Sequence, residues 1–396
     1  MRLVRCVVAL ALLPGCLADV NDVETTTDEA AILGGANAPA GKWPDIVAVR
    51  ERTSQFCSGT LIAPTVVLTA GHCNDAALDN VLIGTSSLAR PAEGEVITVT
   101  KKIEYTNSQR SADLTVLVLA QPSKFAPRAI ATGWARADIK NGAMVQIVGY
   151  GALDRDGNQF KPDLQEATTT ITDADCTASA GCNVPVKPGG ELGAGGMGID
   201  TCGGDSGGPL YLPTDYGTFL AGATSRGYSD NQYYCSEGGI YVRPDKFIEW
   251  IEMAAGVPVL HAPEPTAEPI TVVRGNPEET TIVHNDPKSK SHTFEITTPM
   301  TYGMAAVRND GRVRVCPNND VAGGDSFVVT VTDKNDSTRS ATVKIPVTIT
   351  DGDAGENCDV NAFGDGGGCC DSGRSAGGAM PLSLGILAFL IRRRRR

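Results

Sequence analysis

The residues best suited to do chemistry are a serine in a glycine-rich loop, a solitary histidine and a small set of aspartates. The loop reads Gly203-Gly204-Asp205-Ser206-Gly207-Gly208-Pro209-Leu210. Glycines there let the backbone approach a carbonyl group and aim N–H groups at it, so the amides of Gly204 and Ser206 could hold an oxyanion. A serine hydroxyl is a weak nucleophile until a base takes its proton. Of the four histidines (His72, His261, His284 and His292), only His72 lies with this loop in the first folded region, about residues 32–256. An imidazole acting as base needs a carboxylate to fix its tautomer and stabilise its cation. Asp113 precedes the apolar run Leu114-Thr115-Val116-Leu117-Val118-Leu119; Asp75 and Asp79 are competitors that lead no such strand. Together these groups have the makings of acyl transfer.

The elements that must position them are strands. From residue 32 to about 256, short β-patterned runs recur at 46–49, 60–62, 66–69, 96–99, 114–119, 144–148, 219–223 and 240–242. Clusters of Gly, Pro, Asn and Asp separate them, which predicts barrels or a sandwich. Phe247, Ile248, Trp250 and Ile251 then fall at helical spacing before Gly256. A Pro-rich stretch, 257–269, reads as a semi-extended linker, and 270–350 reads as a second β module with strands near 327–332 and 343–349. Its composition resembles bacterial immunoglobulin-like or cadherin-like modules.

The serine loop, the segment Leu68-Thr69-Ala70-Gly71-His72-Cys73 and Asp113 ahead of its aliphatic strand together resemble the chymotrypsin/trypsin-like serine proteases. The resemblance covers about residues 32–256. It implies an all-β fold, a double β-barrel with a C-terminal helix, and a triad of His72, Asp113 and Ser206. It also implies cleavage of polypeptides after Arg or Lys through an acyl-enzyme, because Asp200 matches the pocket-floor position. Gly227 and Gly239 match pocket-wall glycines, and Ser225 matches the serine behind the triad. Ile32-Leu33-Gly34-Gly35 resembles the N-terminus freed on activation, whose ammonium would pair with Asp205. Ala30-Ala31 precede it, so a separate protease preferring small residues is expected to cut there.

Two departures stand out near the pocket. Arg226 occupies the usual tryptophan position, which removes an aromatic wall and adds positive charge near the substrate path. Gly203 replaces a usual glutamine, which would open the pocket entrance. The Gly-rich stretch 189–198 is expected to be flexible before activation. The resemblance further implies disulfides Cys57–Cys73 and Cys202–Cys235. The usual partner of Cys176 is missing, and Cys182 takes its place by exclusion.

Composition sets the context. A formal net charge of −12 excludes the basic field that nucleic acid binding requires. Neither a cofactor motif nor a convincing metal loop appears; the acids at 333–336 and 351–353 read as solvated turns. Residues 1–18 have a basic start and a short apolar run, as a signal peptide does. Leu13-Pro14-Gly15-Cys16 resembles a bacterial lipobox, with ordinary cleavage after Ala18 as the alternative. Residues 19–31 are an acidic pro-segment. A Gly/Asp-rich linker, 351–378, carries Cys369-Cys370, and 379–396 combines an apolar run with a terminal Arg block. That order resembles the C-terminal sorting tails of myxobacterial surface proteins and implies attachment to a membrane or cell envelope. Export implies oxidised cysteines. The other readings are a protease-like surface adhesin and a serine protease of non-basic specificity.

Overall fold

The computed structural model describes residues 32–106, 112–355 and 358–364. The expected signal peptide, pro-segment and C-terminal anchor, with Cys6, Cys16, Cys369 and Cys370, lie outside the described residues. Within them the chain is all-β with two short helices. A two-residue strand β1 (Ala36–Asn37) precedes β2 (Ile46–Glu51), β3 (Ser54–Ala63), β4 (Val66–Thr69), β5 (Asn80–Ile83), β6 (Glu95–Glu104) and β7 (Thr115–Leu119). These last six close into an antiparallel barrel in the order β2-β3-β4-β7-β6-β5. Its interior is aliphatic: Val47, Val49, Leu61, Val67, Val81, Ile83 and Leu117 are buried there.

Helix α1 (Gly133–Arg136) leads into a second ring of strands: β8 (Met144–Gly149), β9 (Gln165–Asp173), β10 (Glu191–Ala194), β11 (Pro209–Thr214), β12 (Gly217–Gly227) and β13 (Gly239–Val242). The order β9-β10-β13-β12-β11-β8 closes through β8–β9 pairing, and β1 adds to the outside of β9. Part of 189–198, the stretch expected to be flexible before activation, is regular strand. Residues 191–194 form β10, fully buried and paired on both sides, while positive φ is found at Gly189 before the strand and at Gly195, Gly196, Met197 and Gly198 after it. Leu192 and Ala194 supply the apolar face that anchors it, a signal masked by the surrounding glycines. Helix α2 (Ile248–Ala255) ends at Gly256 in the left-handed conformation, as its sequence predicts.

A buried ion pair joins the barrels. Asp45 on the first accepts from Arg128 Nε (3.0 Å) and Nη2 (2.6 Å) and from the Tyr211 hydroxyl (2.5 Å) on the second. Trp43 stacks on Tyr211 with ring centroids 4.5 Å apart, and the guanidinium lies over both rings. Breaking one member would strand a charge in the seam, so the pair fixes how the barrels meet.

A sandwich follows, with β14 (Ile270–Val273), β20 (Ser340–Thr350), β19 (Gly323–Asp333) and β16 (His292–Thr298) in one sheet. The other sheet holds β15 (Glu278–Thr281), β18 (Arg312–Pro317) and β17 (Gly303–Val307). Phe327, Val329, Val331, Ile345, Val313 and Val315 fill the space between. A fourth disulfide, Cys316–Cys358, closes its far end.

The stretch 257–269 is not a free tether. Val259 and Ala262 are buried, the Ile130 amide donates to Leu260, and the Ala262 amide donates back to Ile130. Trp134 of α1 sits wholly buried in the sandwich core and donates from Nε1 to the His284 carbonyl at 2.6 Å. Arg339 joins Asp138 of the protease-like unit to buried Asp286 of the sandwich. Replacing Trp134 with Ala removes an apolar anchor that both units share. We expect a loss of about 3–5 kcal/mol in denaturant unfolding and new proteolytic nicking within 257–269.

Candidate active site

Gly71–Cys73 forms a tight turn directly after β4, so His72 leaves the rim of the first barrel. The Asp113 carboxylate meets it from the segment entering β7. Oδ1 accepts from the His72 backbone amide at 2.8 Å, and Oδ2 lies 2.9 Å from His72 Nδ1. An ionised carboxylate can only accept, so Nδ1 carries the proton and Nε2 is left as the basic nitrogen. Ser225 on β12 donates from Oγ to the same Oδ2 at 2.6 Å. Burial pushes the Asp113 carboxyl up, but hydrogen bonds from His72 and Ser225 and the imidazole charge outweigh it, leaving the group below its ordinary value. The hydrogen bond to Asp113 raises His72 above its ordinary value; burial and the Arg226 charge act against it. Of the three candidate carboxylates, Asp113 alone reaches the ring: Asp75 and Asp79 make their side-chain contacts with the nearby loop at 52, 77 and 80.

The serine loop comes from the second barrel and is pressed against the first. The Ser206 carbonyl accepts from the Ser58 amide at 2.8 Å, and the Gly204 carbonyl accepts from Gln55 Nε2 (2.8 Å) and Ser58 Oγ (2.9 Å). Gly207 has φ +77, and a Cβ there would stand 2.1 Å from Thr69 Oγ1 and 2.5 Å from the Ala70 amide. Only glycine lets the two loops come this close. The Gly203 carbonyl accepts from Ala152 and the Asp205 carbonyl from Gly208. Peptide planarity then turns the Gly204 and Ser206 N–H groups the opposite way. Neither amide has an acceptor among the described residues.

His72 and Ser206 line one cleft of about 200 Å³ with Asp200, Ser225, Arg226, Gly227, Tyr234 and Gly239. At its floor Asp200 is buried and accepts through Oδ2 from the amides of Ser236 (2.9 Å) and Gly238 (3.0 Å). Its Oδ1 is buried without a partner among the described residues. Burial pushes this carboxyl up to about 6 against the pull of those amides. Gly227 and Gly239 face one another in the β12–β13 register, and a Cβ on Gly239 would stand 2.8 Å from the Arg226 carbonyl.

Both departures have neighbours that the sequence does not show. Arg226 lines the cleft as expected, and buried Glu191 lies 2.9 Å from its Nη2. Beside Gly203, the Tyr234 ring lies 3.5 Å from where a Cβ would be. Sequence reading missed Glu191, Tyr234 and the Ser236 and Gly238 amides. Glu191 had a signal, a lone acid heading the apolar strand Glu191-Leu192-Gly193-Ala194; the amides have none.

Ahead of β1 the Ile32 side chain is fully buried in the second barrel, and the Leu33 carbonyl accepts from the Asp200 amide. Asp205 is also fully buried, accepting from the amides of Gly151 (2.7 Å) and Cys202 (2.9 Å). Burial pushes it up to about 7. Disulfides Cys57–Cys73, Cys176–Cys182 and Cys202–Cys235 are all formed.

Residues 32–251, more than half the chain, match the Trypsin family model. The chain belongs to the trypsin family. Residues 261–346 match a bacterial Ig domain, in agreement with the sandwich. Serine protease 56 of Mus musculus is 33% identical over 250 residues, 59% of this chain and 40% of that protein. The chain therefore spans two fifths of the mouse protein's length. Glucanase inhibitor protein 3 of Phytophthora infestans is 30% identical over 266 residues, 63% of this chain and 97% of its own. The solved structure of neuropsin, a serine protease expressed in the limbic system of mouse brain, matches 56% of this chain and 99% of its own at 26% identity, with a TM-score of 0.48.

Replacing Gly207 with Ala would force the serine loop off the Thr69–Ala70 backbone. We expect kcat/KM to fall on the order of 100-fold, because misplacement by about 1 Å is enough for that loss. Steady-state kinetics on an ester substrate beside a thermal melt would show it.

Proposed function

We propose that this trypsin-family chain is an exported serine endopeptidase that cuts after Arg or Lys. In this reading Ser206 attacks the scissile carbonyl, and His72 Nε2 takes its proton while Asp113 stabilises the imidazolium. The amides of Gly204 and Ser206 hold the oxyanion. His72 then returns the proton to the departing amine, and water repeats the sequence to release the acyl group. The observation that carries the specificity is Asp200, a buried carboxylate whose Oδ1 has no partner among the described residues, at the floor of the cleft. An ionised group there is costly without a counter-charge, so it rewards a cationic side chain.

The glucanase inhibitor relative favours a second reading, a trypsin fold that binds rather than cuts. Against it, this chain retains His72, Asp113 and Ser206, with a hydrogen-bonded His72–Asp113 pair. Chain cut after Ala31 should be assayed on Arg, Lys and Phe esters. Ser206→Ala is expected to lose about 10⁶-fold in kcat, and Asp200→Ser to lose the basic preference. An inactive processed protein would favour the binding reading, and a parent preference for Phe would remove Asp200 from its role.

Activation would depend on Asp205. In the uncut chain its donors among the described residues are amides, and Ile32 has φ +47, a conformation β-branched residues avoid. Cutting the bond after Ala31 removes the carbonyl carbon that defines this φ and creates an ammonium. For the uncut chain, a folded value of about 7 lies above the unfolded 3.8, so the protonated form favours folding. Stability from this group is present below 3.8 and lost as pH rises through 7. Pairing with the ammonium would reverse that loss. We expect the melting temperature of cut protein to exceed that of uncut protein most at pH 8, with the gap narrowing below pH 4. A pH-independent gap would count against the ion pair.

Export and surface attachment rest on the signal peptide, the C-terminal tail and four disulfides, which suit an oxidising compartment. Protein and peptide substrates, and an activating protease that cuts after Ala31, complete the reading.

A further inference from the structure

Two features of the chain that look unrelated in sequence meet beside the triad. One is Arg226; the other is the short loop closed by Cys176–Cys182. Arg226 Nη2 donates to the Gly181 carbonyl of that loop at 2.9 Å and to Glu191 Oε2 at 3.0 Å. The Glu191 side chain is only 1% exposed, and its Oε2 also accepts from the Asn183 amide at 2.7 Å. A buried carboxylate with this many donors on one side makes a rigid clamp for a guanidinium. The clamp leaves Nη1 free to donate to Ser225 Oγ at 2.9 Å.

The consequence follows from donor counting. A guanidinium has no acceptor, so toward Arg226 the Ser225 oxygen must accept. Its single proton is thereby committed elsewhere, and Asp113 Oδ2 stands 2.6 Å away. The groups form one line: Glu191, Arg226, Ser225, Asp113, His72. We propose that Arg226 is a positioning residue for the catalytic carboxylate, with Glu191 and the Gly181 carbonyl holding its guanidinium so that the Ser225 hydroxyl points its proton at Asp113. This rests on the serine protease reading above and adds a member to its machinery.

Removing Arg226 would have two effects on His72, both of the same sign. Asp113 would lose a committed donor and attract the imidazolium more strongly, and a positive charge that opposes the imidazolium would be gone. Among the described residues, Asp113 and Arg226 are the charged groups that act on the ring. Both changes raise the pH at which His72 gives up its proton.

The double variant Arg226→Met/Glu191→Gln avoids leaving a buried carboxylate unpaired. In the full chain with labelled histidine, NMR titration of His72 is expected to move upward by roughly half a pH unit, about threefold in proton affinity. The acid limb of kcat/KM should move with it. On an ester of a single amino acid, which touches only the primary pocket, kcat should fall severalfold with KM little changed, as for a group acting in the transition state. Arg226→Lys keeps the charge and a donor and should lie between parent and double variant. An unmoved His72 titration in a folded double variant would overturn the proposal, as would a loss confined to KM or a lysine variant as impaired as the double one. Because the titration needs no turnover, it judges Arg226 even if the parent proves inactive and the protease reading itself fails.

Discussion

The site depends on one carboxylate placed where two barrels meet. Asp113 takes two hydrogen bonds from His72 on the first barrel and one from Ser225 on the second. A carboxylate this buried persists in ionised form only if donors surround it, and the donors come from segments more than 100 residues apart. The imidazole can hold its orientation only while both barrels hold theirs. The Asp45–Arg128–Tyr211 cluster and the close seat of Gly207 against Thr69 are therefore as much part of the site as His72 and Asp113, since they keep those donors in reach.

Buried charge recurs as the organising device. Asp113, Asp200, Asp205 and Glu191 all lie in or beside the second barrel's rim, and each is offered a different partner. Asp113 has an imidazole, Glu191 a guanidinium, and Asp205 amides in the uncut chain. Among the described residues, Asp200 has amides on one oxygen alone.

The sandwich changes what kind of object the protease-like unit is. Trp134 and the packed 257–269 stretch make the two units share a core, so the second is seated against the first rather than swinging from a tether. The bland composition of 257–269 hid this. Proline-rich segments look alike in sequence whether they cross solvent or lie along a barrel, because the burial of Val259 and Ala262 depends on what stands opposite. The same limitation applies to 189–198, where glycines suggested mobility although alternate residues of Glu191–Ala194 were bound for a core.

Residue type and local spacing determined the all-β class, the helix ending at Gly256, the serine loop and the single histidine available to it. These are local properties, written in periodicity and in the conformations only glycine permits. Which aspartate meets the imidazole, which carboxylate Arg226 pairs with, and what stands beside Gly203 were decided by the tertiary structure. Each of these is a contact between distant segments, and a hydrogen bond or ion pair exists only once the fold has brought both partners within about 3 Å.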